Sequence, residues 1–344
     1  MQKLLTVVIP SYNASRYLSY AVESLLPAGR CIEVIIVNDG STDETGEIAE
    51  AYAQKHPDMI RVINKENGGH GDAIMAGLKD AKGLYFRVLD SDDRMDKEAL
   101  EKYIRQIQDL SEAGSLPDLI VTNYVYEKYL EGRKKVVHYR KALPENRIIG
   151  WDDIGRFSCG SYILMHAATF RTDLIKESGI RMPRHTYYVD HLFVCYPMMY
   201  VKTIYYLDVN LYRYFIGRED QSVNDKVMVS RTDQQIRINR ILLYDLDPEK
   251  SENENQKEYL YYYIELVTSA TMSLLLYSNT RKGEKQWEAL LREIRLKKPE
   301  AYERFMRRPF FLHPVRPVMN LPHAISYPLF RLIYCVLRYF FMFS

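Results

Sequence analysis

The chain reads Leu84-Tyr85-Phe86-Arg87-Val88-Leu89-Asp90-Ser91-Asp92-Asp93 at the point where an apolar run ends in a cluster of carboxylates. Nothing about the end of a β-strand requires three acidic side chains so close together. Because neighbouring carboxylates repel one another, a cluster that stays ionised needs solvent or a compensating cation. Mg2+ and Mn2+ bind through carboxylate oxygens, substrate phosphates and water. The cluster therefore predicts a divalent metal site at the carboxyl end of a strand, where open α/β sheets bind ligands.

The same residues allow a second interpretation that needs no ligand. A loop between a strand and a helix often carries an acidic residue that caps the helix. Asp92 or Asp93 could cap the helix that is predicted to begin near Asp96. A short acidic motif alone does not decide between a metal site and a helix cap.

Short apolar runs alternate with helical patterns over the first half of the chain. The runs are rich in β-branched residues and bounded by turn residues, as strands are. Strands that alternate with helices and are apolar on both faces favour a mostly parallel central sheet flanked by helices, an α/β fold. The predicted strands are residues 4–10, 32–38, 60–64, 84–89 and 118–125, and the predicted helices are residues 15–26, 42–55, 72–82 and 97–113.

The second half of the chain has a different character. Residues 127–147 are basic and irregular, which fits either a mobile loop or an antiparallel ribbon. Beyond about Val229 the pattern is helical, with a long apolar and aromatic stretch at residues 259–277. We therefore predict an α/β domain at residues 1–228 and a mainly helical C-terminal region at residues 229–344.

Positive charge is concentrated at the C-terminal end. Residues 281–344 contain thirteen Lys and Arg against five Glu, and no acidic residue follows Glu303. The apolar, aromatic residues 324–343 include Arg331 and Arg338, which count against a membrane-spanning helix. These arginines are seven residues apart and so share one helix face, which suits peripheral contact with anionic lipids. The alternative is a helix that packs on the domain or on another subunit.

The cysteines and the N-terminal residues indicate a reduced compartment. Four cysteines lie far apart without a C-x-x-C pair, so neither a zinc site nor a disulfide framework is indicated. The first residues lead into a strand without the apolar region of a signal peptide. We predict a cytoplasmic protein whose peripheral contact, if it has one, is at the inner face of the cell membrane.

Two further polar stretches follow predicted strands. They read Val7-Val8-Ile9-Pro10-Ser11-Tyr12-Asn13 and Val37-Asn38-Asp39-Gly40-Ser41-Thr42-Asp43, and the ends of parallel strands meet at one edge of a sheet. Asp39 could accept a hydrogen bond from the base or ribose of a nucleotide. Tyr12 offers a ring for stacking or for filling the sheet edge, and Ser41 or Thr42 is predicted to cap the next helix.

A glycine-rich turn, Asn67-Gly68-Gly69-His70-Gly71-Asp72, opens the third predicted helix. Glycines let backbone amides approach a diphosphate closely, and the N-terminus of a helix favours anions. A tight connection without a ligand is the alternative.

In their order and spacing, these four motifs resemble the family 2 glycosyltransferases of the GT-A fold, over roughly residues 4–225. The resemblance implies an inverting, metal-dependent enzyme that moves a hexosyl or N-acetylhexosaminyl group from a UDP-sugar to an acceptor hydroxyl. It implies a saccharide or a lipid-linked acceptor, no nucleic acid, and a setting in cell-envelope or extracellular polysaccharide synthesis.

The resemblance also implies roles for individual residues. Most relatives have Glu-Asp where Tyr188-Val189-Asp190-His191 stands here, and Asp190 is the candidate general base. Asp93 is expected to contact the sugar or to support its loop. Many relatives carry Arg and Asn where this chain has Ile74 and Met75, so donor contacts there are not carried over. The implied uridine contacts are Pro10, Tyr12 and Asp39; the implied diphosphate contacts are Gly69, Asp90, Ser91 and Arg213 or Arg218; and the implied Mn2+ or Mg2+ ligands are Asp90 and Asp92, with Asp92 the more direct.

Three other classes of protein share part of this pattern. A haloacid-dehalogenase-like phosphatase has its Asp-x-Asp on the first strand, whereas this cluster follows the fourth predicted strand. A nucleotidyltransferase needs a Gly-rich loop with Arg after the first strand, and Ser11-Tyr12-Asn13-Ala14 is not such a loop. A catalytically silent sugar-nucleotide-binding or membrane scaffold protein remains the alternative to an enzyme.

Overall fold

A computed structural model describes residues 2–128, 132–158, 160–216, 225–278 and 280–307, together with positions 325, 328, 329 and 332. The chain divides into two compact units. The first unit comprises residues 1–156 and 163–218, and the second comprises residues 157–162 and 219–344.

The first unit begins with four parallel strands joined by helices. The strands lie side by side in the order β3-β2-β1-β4, with β1 paired to both β2 and β4. This confirms the predicted α/β fold and brings the carboxyl ends of these strands to one edge. The elements are β1 (Leu5–Ser11), α1 (Leu18–Leu25), β2 (Ile32–Asp39), α2 (Thr45–Lys55), β3 (Ile60–Lys65), α3 (His70–Asp80), β4 (Tyr85–Val88), β5 (Arg94–Met95) and α4 (Lys97–Glu112).

Beyond β4 the sheet becomes mixed. Its order continues β4-β9-β6-β10-β5, with β9 antiparallel to both of its neighbours and β10 parallel to β6. Strand β7 pairs with β6 as an antiparallel ribbon, which is one of the two alternatives for residues 127–147. These elements are β6 (Leu119–Lys128), β7 (Arg133–Val137), β8 (Ile148–Ile149), β9 (Ala168–Arg171), α5 (Thr172–Glu177), α6 (Asp190–Met198) and β10 (Ile204–Ile216).

The core of this unit explains why the strands are apolar on both faces. Every residue of β1 is buried, and so are most residues of β2 and β6. Helix α4 is amphipathic and buries Leu100, Tyr103 and Ile107 on its inner face. Its N-cap is Asp96, whose Oδ1 accepts a hydrogen bond from the Ala99 amide at 3.0 Å. The residue that caps α4 is therefore Asp96, and not Asp92 or Asp93 of the acidic cluster.

The prediction that Ser41 or Thr42 caps the helix after β2 is wrong. Helix α2 begins at Thr45. The amide and the hydroxyl of Thr45 donate to Asp43 Oδ1 at 3.0 and 2.5 Å. Ser41 Oγ instead accepts from the Asn13 amide at 3.1 Å, and the Thr42 amide donates to Asn13 Oδ1 at 2.8 Å. These contacts tie the end of β1 to the end of β2.

The second unit is helical where it is described. Most side chains of its longest helix are buried, as the apolar stretch at residues 259–277 predicts. No helix in the described ranges is both long and apolar enough to cross a bilayer. The predicted lipid-binding residues 324–343 lie outside the described residues, apart from four isolated positions. The helices are α7 (Asp225–Ser230), α8 (Thr232–Tyr244), α9 (Glu254–Tyr277), α10 (Arg281–Lys297) and α11 (Pro299–Arg307).

Candidate functional site

The acidic cluster forms a tight turn between β4 and β5. The Leu89 amide donates to the Val8 carbonyl at 2.9 Å, and the Asp93 amide donates back to the Asp90 carbonyl at 3.0 Å. The turn thus begins beside β1, at the edge where the parallel strands end. Asp90, Ser91 and Asp92 are partly exposed there, whereas Asp93 is buried.

Two histidines surround Asp90. His70 Nε2 lies 2.8 Å from Asp90 Oδ1, and His166 Nε2 lies 3.6 Å from Asp90 Oδ2. Burial alone would raise the pKa of Asp90, but the hydrogen bonds and charges of the two histidines outweigh it and hold that pKa well below its usual value. Asp90 therefore stays ionised and ready to bind a cation.

His166 has no signal in the sequence. It lies in an apolar stretch and belongs to a short 3-10 helix, Met165–Ala167, that precedes β9. Its ring stacks on Tyr214, with 4.4 Å between the centroids. Its Nδ1 is buried without a hydrogen-bond partner among the described residues. Only the folding of β9 between β4 and β6 brings it to Asp90.

Asp93 supports the loop from inside. Its Oδ2 accepts a hydrogen bond from the Tyr212 hydroxyl and its Oδ1 accepts one from the Phe215 amide, both at 2.7 Å. Burial, together with the charges of Asp92 and Asp90, raises the pKa of Asp93 well above its ordinary value. Both carboxyl oxygens of Asp93 thus accept hydrogen bonds from residues of strand β10.

The geometry fits a divalent ion. Asp90, Asp93 and His166 each offer one ligand atom, and these three atoms lie within 4.8 Å of one another. Asp93 is buried and both of its oxygens accept hydrogen bonds from β10, whereas Asp90 is partly exposed, so Asp90 is the better placed carboxylate of this group. A carboxylate and an imidazole are a donor set that suits Mn2+ and other first-row ions. Asp92 stands two residues from Asp90 in the same turn and is partly exposed.

Asp39 is bound by the glycine-rich turn. The Gly68 amide donates to Asp39 Oδ1 at 2.9 Å and the Gly69 amide donates to Oδ2 at 2.7 Å. Lys65 Nζ lies 2.6 Å from Oδ1 and 2.7 Å from the carboxylate of Asp72. The two amides that the sequence assigns to a diphosphate therefore point to a carboxylate of the chain itself.

Pro10 and Tyr12, which lie at the carboxyl end of β1 and just beyond it, differ in exposure. Pro10 is buried in β1, whereas the Tyr12 ring beyond the end of β1 is 55% exposed. A largely exposed ring at the carboxyl edge is free to stack on a planar ligand.

Asp190 is the first residue of α6 and is partly exposed. Within the described parts of the chain its carboxylate makes no hydrogen bond or ion pair. Burial would lower the pKa of His70, but the charge of Asp90, with those of Asp190 and Asp92, raises it. Asp190 therefore lies near enough to His70 for its charge to act on that ring, together with those of Asp90 and Asp92.

Arg213 is turned toward two acidic side chains. Its guanidinium lies 2.6 Å from Asp96 Oδ2 and 3.5 Å from Glu127 Oε1. The other arginine that the sequence assigns to the diphosphate, Arg218, lies outside the described residues.

A buried cation lies behind the acidic turn. Arg87, in the middle of β4, is fully buried and donates to Thr169 Oγ1 at 2.8 Å, to Thr122 Oγ1 at 3.3 Å and to the carbonyl of His166. Its guanidinium also lies 5.9 Å from the centroid of the Tyr212 ring. Arg87 thus contacts the backbone of His166 and the ring of Tyr212, two residues that lie beside Asp90.

Comparison with known proteins gives one family. Residues 6–171 match the model of the family described as Glycosyl transferase family 2. A curated relative, the glycosyltransferase GlyG of Streptococcus pneumoniae serotype 4, is 37% identical over 126 residues, which are 36% of this chain and 40% of GlyG. The chain thus spans less than half of the length of this relative.

Two solved structures are similar in fold. S. aureus TarS 1-349, in complex with UDP-GlcNAc, superposes with a TM-score of 0.66 at 21% identity and covers 99% of this chain and 93% of that one. The mannosyltransferase PcManGT from Pyrobaculum calidifontis, in complex with GDP-Man and Mn2+, gives a TM-score of 0.50 at 14% identity over 98% of this chain and 88% of that one. At these identities the likeness concerns the fold.

Proposed function

The chain belongs to the glycosyl transferase family 2 through residues 6–171, and we propose that it is an inverting, metal-dependent enzyme that moves a hexosyl or N-acetylhexosaminyl group from a UDP-sugar to an acceptor hydroxyl. One observation carries the proposal. Asp90, at the edge where the parallel strands end, pairs with two histidines, and the charge of Asp190 acts on one of them, His70. A cation site and a general base are the two groups that metal-assisted, inverting sugar transfer from a nucleotide uses.

The donor nucleotide would lie along the ends of β1 and β2. Tyr12 would stack on the uracil through its exposed ring, beside Pro10. Asp39 Oδ1 accepts from the Gly68 amide and from Lys65, whereas Oδ2 accepts from the Gly69 amide and would use its further lone pair for a donor on the base. The UDP named for the TarS complex, which shares the fold, supports this choice of nucleotide.

The metal would be held by Asp90 and Asp92, with His166 as a third donor. A bound Mn2+ or Mg2+ would offset the negative charge that develops on the departing UDP. Ser91, in the same turn, would line the diphosphate; the Gly69 amide donates to Asp39 and is not assigned to the diphosphate. The Mn2+ named for PcManGT supports this assignment. Arg213 would contribute only after its guanidinium exchanges Asp96 and Glu127 for the phosphates.

Asp190 would perform the proton transfer. Its carboxylate takes the proton of the acceptor hydroxyl while that oxygen attacks the anomeric carbon. The new carbon–oxygen bond forms as the bond to UDP breaks, and UDP leaves from the opposite face with inversion. Because the Asp190 carboxylate has no hydrogen bond or ion pair in the described chain, no partner has to be displaced first.

We propose a saccharide or lipid-linked acceptor of the cell envelope, used on the cytoplasmic side, with residues 324–343 as a peripheral lipid contact. The basic composition after residue 281 supports this setting.

Nucleotide release tests the proposal directly. Purified protein is incubated with MnCl2 and, in turn, UDP-glucose, UDP-galactose, their N-acetylhexosamine counterparts and GDP-mannose. We expect metal-dependent release from at least one UDP-sugar and none from GDP-mannose. Asp190→Asn should lose turnover yet bind UDP in calorimetry with an unchanged Kd. Full turnover by this variant, or no binding of UDP by the wild type, would refute the proposal.

A further inference from the structure

The glycine-rich turn packs against the chain segment that leads to Asp190. The His185 amide donates to the Gly68 carbonyl at 2.7 Å, and Arg184 Nη2 donates to the Asn67 carbonyl at 3.3 Å. Hence the carbonyls of the turn, as well as its amides, are used within the chain. We call residues 67–71 the seat and residues 182–189 the strap.

The glycines of the seat are required by this contact. A Cβ added at Gly69 would lie 3.1 Å from the His185 nitrogen, and φ at Gly69 is +88°, which L side chains rarely adopt. A Cβ added at Gly71 would lie 2.7 Å from Met182 Cβ and 3.2 Å from Val189 Cγ2. The absence of side chains therefore lets the strap approach the backbone of the seat.

The other side of the seat is bound to the end of β2. Gly68 and Gly69 donate to Asp39, and Lys65 joins Asp39 to Asp72. Asp72 in turn lies 3.6 Å from Arg184 of the strap. A continuous set of contacts thus runs from the strand end assigned to the nucleotide, through the seat, to the strap.

The strap holds an uncommon backbone next to Asp190. His185 and Tyr188 have φ of +49° and +65°, a region that residues other than glycine seldom occupy. Such a conformation persists only where the surrounding contacts enforce it. Val189, which is buried, contacts the seat and directly precedes Asp190. The apolar side chain of Val189 fits against Gly71, where a Cβ would lie 3.2 Å from Val189 Cγ2.

We propose that the seat is a positioning device for Asp190, which it holds in register with the nucleotide end of β2. The proposal rests on the role of Asp190 as the general base. Gly71 and Gly69 are positioning residues, since they act through the strap rather than on a substrate. The glycine-rich turn therefore serves the acceptor half of the reaction.

Gly71→Ala tests the seat, with Gly77→Ala as the matched control. Both lie on α3, and a Cβ at Gly77 would lie 2.5 Å from Val8 Cγ2, so that the control crowds the core but not the strap. Hydrogen exchange at the His185 amide, calorimetry with UDP and MnCl2, and kcat with the donor found by nucleotide release are measured. For Gly71→Ala we expect His185 amide exchange to become faster and kcat to fall, each by about tenfold or more. The affinity for UDP should stay within about threefold of wild type.

Gly77→Ala should lower the melting temperature and leave His185 exchange and kcat near wild type. If both variants lower kcat alike, or if Gly71→Ala leaves His185 exchange unchanged, the seat does not position Asp190. Should Gly71→Ala fail to fold, Arg184→Ala replaces it, because Arg184 is largely exposed and its loss spares the core. Faster His185 exchange in Arg184→Ala, largely restored in Arg184→Lys, is expected; equal exchange in all three proteins overturns the proposal.

The outcome is separable from that of the proposed function. If Asp190→Asn retains turnover, the base assignment fails whatever the strap does. If Asp190→Asn is inactive while Gly71→Ala keeps its kcat, the base stands and the seat does not.

Discussion

The side chain of Asp93 accepts a hydrogen bond from the backbone amide of Phe215 at 2.7 Å. The acidic turn is thereby fixed to strand β10, although the two are more than a hundred residues apart in sequence. A second bond, from the Tyr212 hydroxyl, completes the buried carboxyl. Asp93 thus links the acidic turn to β10 through its buried side chain.

Asp93→Ala should lower the free energy of unfolding by about 1–3 kcal/mol, because it removes the hydrogen bonds that the Phe215 amide and the Tyr212 hydroxyl donate to the buried Asp93. Asp93→Asn keeps an oxygen for the Phe215 amide and should lose less. Urea denaturation measures both. The assignment would be wrong if the two variants were equally stable.

His166→Ala should weaken Mn2+ binding by about tenfold or more, as loss of a ligand or of its supporting partner does. Asp92→Ala should abolish metal-dependent UDP release and leave the fold intact. Manganese paramagnetic resonance follows binding without relying on turnover. His138→Ala is the control, since His138 pairs with Asp208 rather than with Asp90. Equal Mn2+ affinity in all the histidine variants would remove His166 from the metal site.

The sequence predicts the first four strands because each is a short apolar run between turn residues, a signal that local structure alone creates. The observed bounds of β1 to β4 lie within about two residues of the predicted ones. The mixed half of the sheet has no comparable signal. Strand β9 pairs antiparallel with both β4 and β6, and partner and direction depend on tertiary packing rather than on any pattern within β9.

The site shows the same division. Asp39, Asp90 and Asp190 carry recognisable motifs because each stands at the end or start of an element. His166 and Arg87 do not, since both lie inside apolar runs whose pattern indicates only burial. The contact between the seat and the strap could not be predicted from the sequence either. Glycines indicate that some group approaches the backbone closely, but not whether that group is a diphosphate or the strap.

Asp43 should make folding stability depend on pH in the acid range. Slight burial opposes it, but hydrogen bonds from Thr45 and Ser15 lower the pKa of Asp43 to about 2. Because this pKa is below the unfolded value of 3.8, the stabilisation is present above pH 4 or so and is lost as the pH falls toward 2. The stability difference between wild type and Asp43→Asn should therefore shrink across that window. Denaturation midpoints measured at several acid pH values test this; a constant difference would contradict it.

The C-terminal tail should bind anionic lipid. Deleting residues 321–344 should abolish flotation with vesicles that contain phosphatidylglycerol, because the deleted residues carry Arg331 and Arg338 without an acidic residue. Binding by the full chain should weaken with salt and be absent from phosphatidylcholine vesicles. Equal flotation with and without the tail would exclude it as a membrane contact.

Asp39→Asn should change the choice of nucleotide. The N3 atom of uracil is a hydrogen-bond donor and that of cytosine is an acceptor, so a carboxylate at this position favours UDP over CDP. An amide offers both a donor and an acceptor, and the variant should narrow the UDP-to-CDP affinity ratio by about tenfold, since each 1.4 kcal/mol is a factor of ten.

The substitution also weakens the bond between β2 and the seat, since an amide nitrogen cannot accept from Gly68 or Gly69. Lys65→Met controls for this effect, because it removes a contact of Asp39 near the same turn while residue 39 remains a carboxylate, which accepts but does not donate. Calorimetry with the two nucleotides distinguishes the roles. If Asp39→Asn and Lys65→Met weaken UDP and CDP by the same factor, Asp39 shapes the turn and does not contact the base.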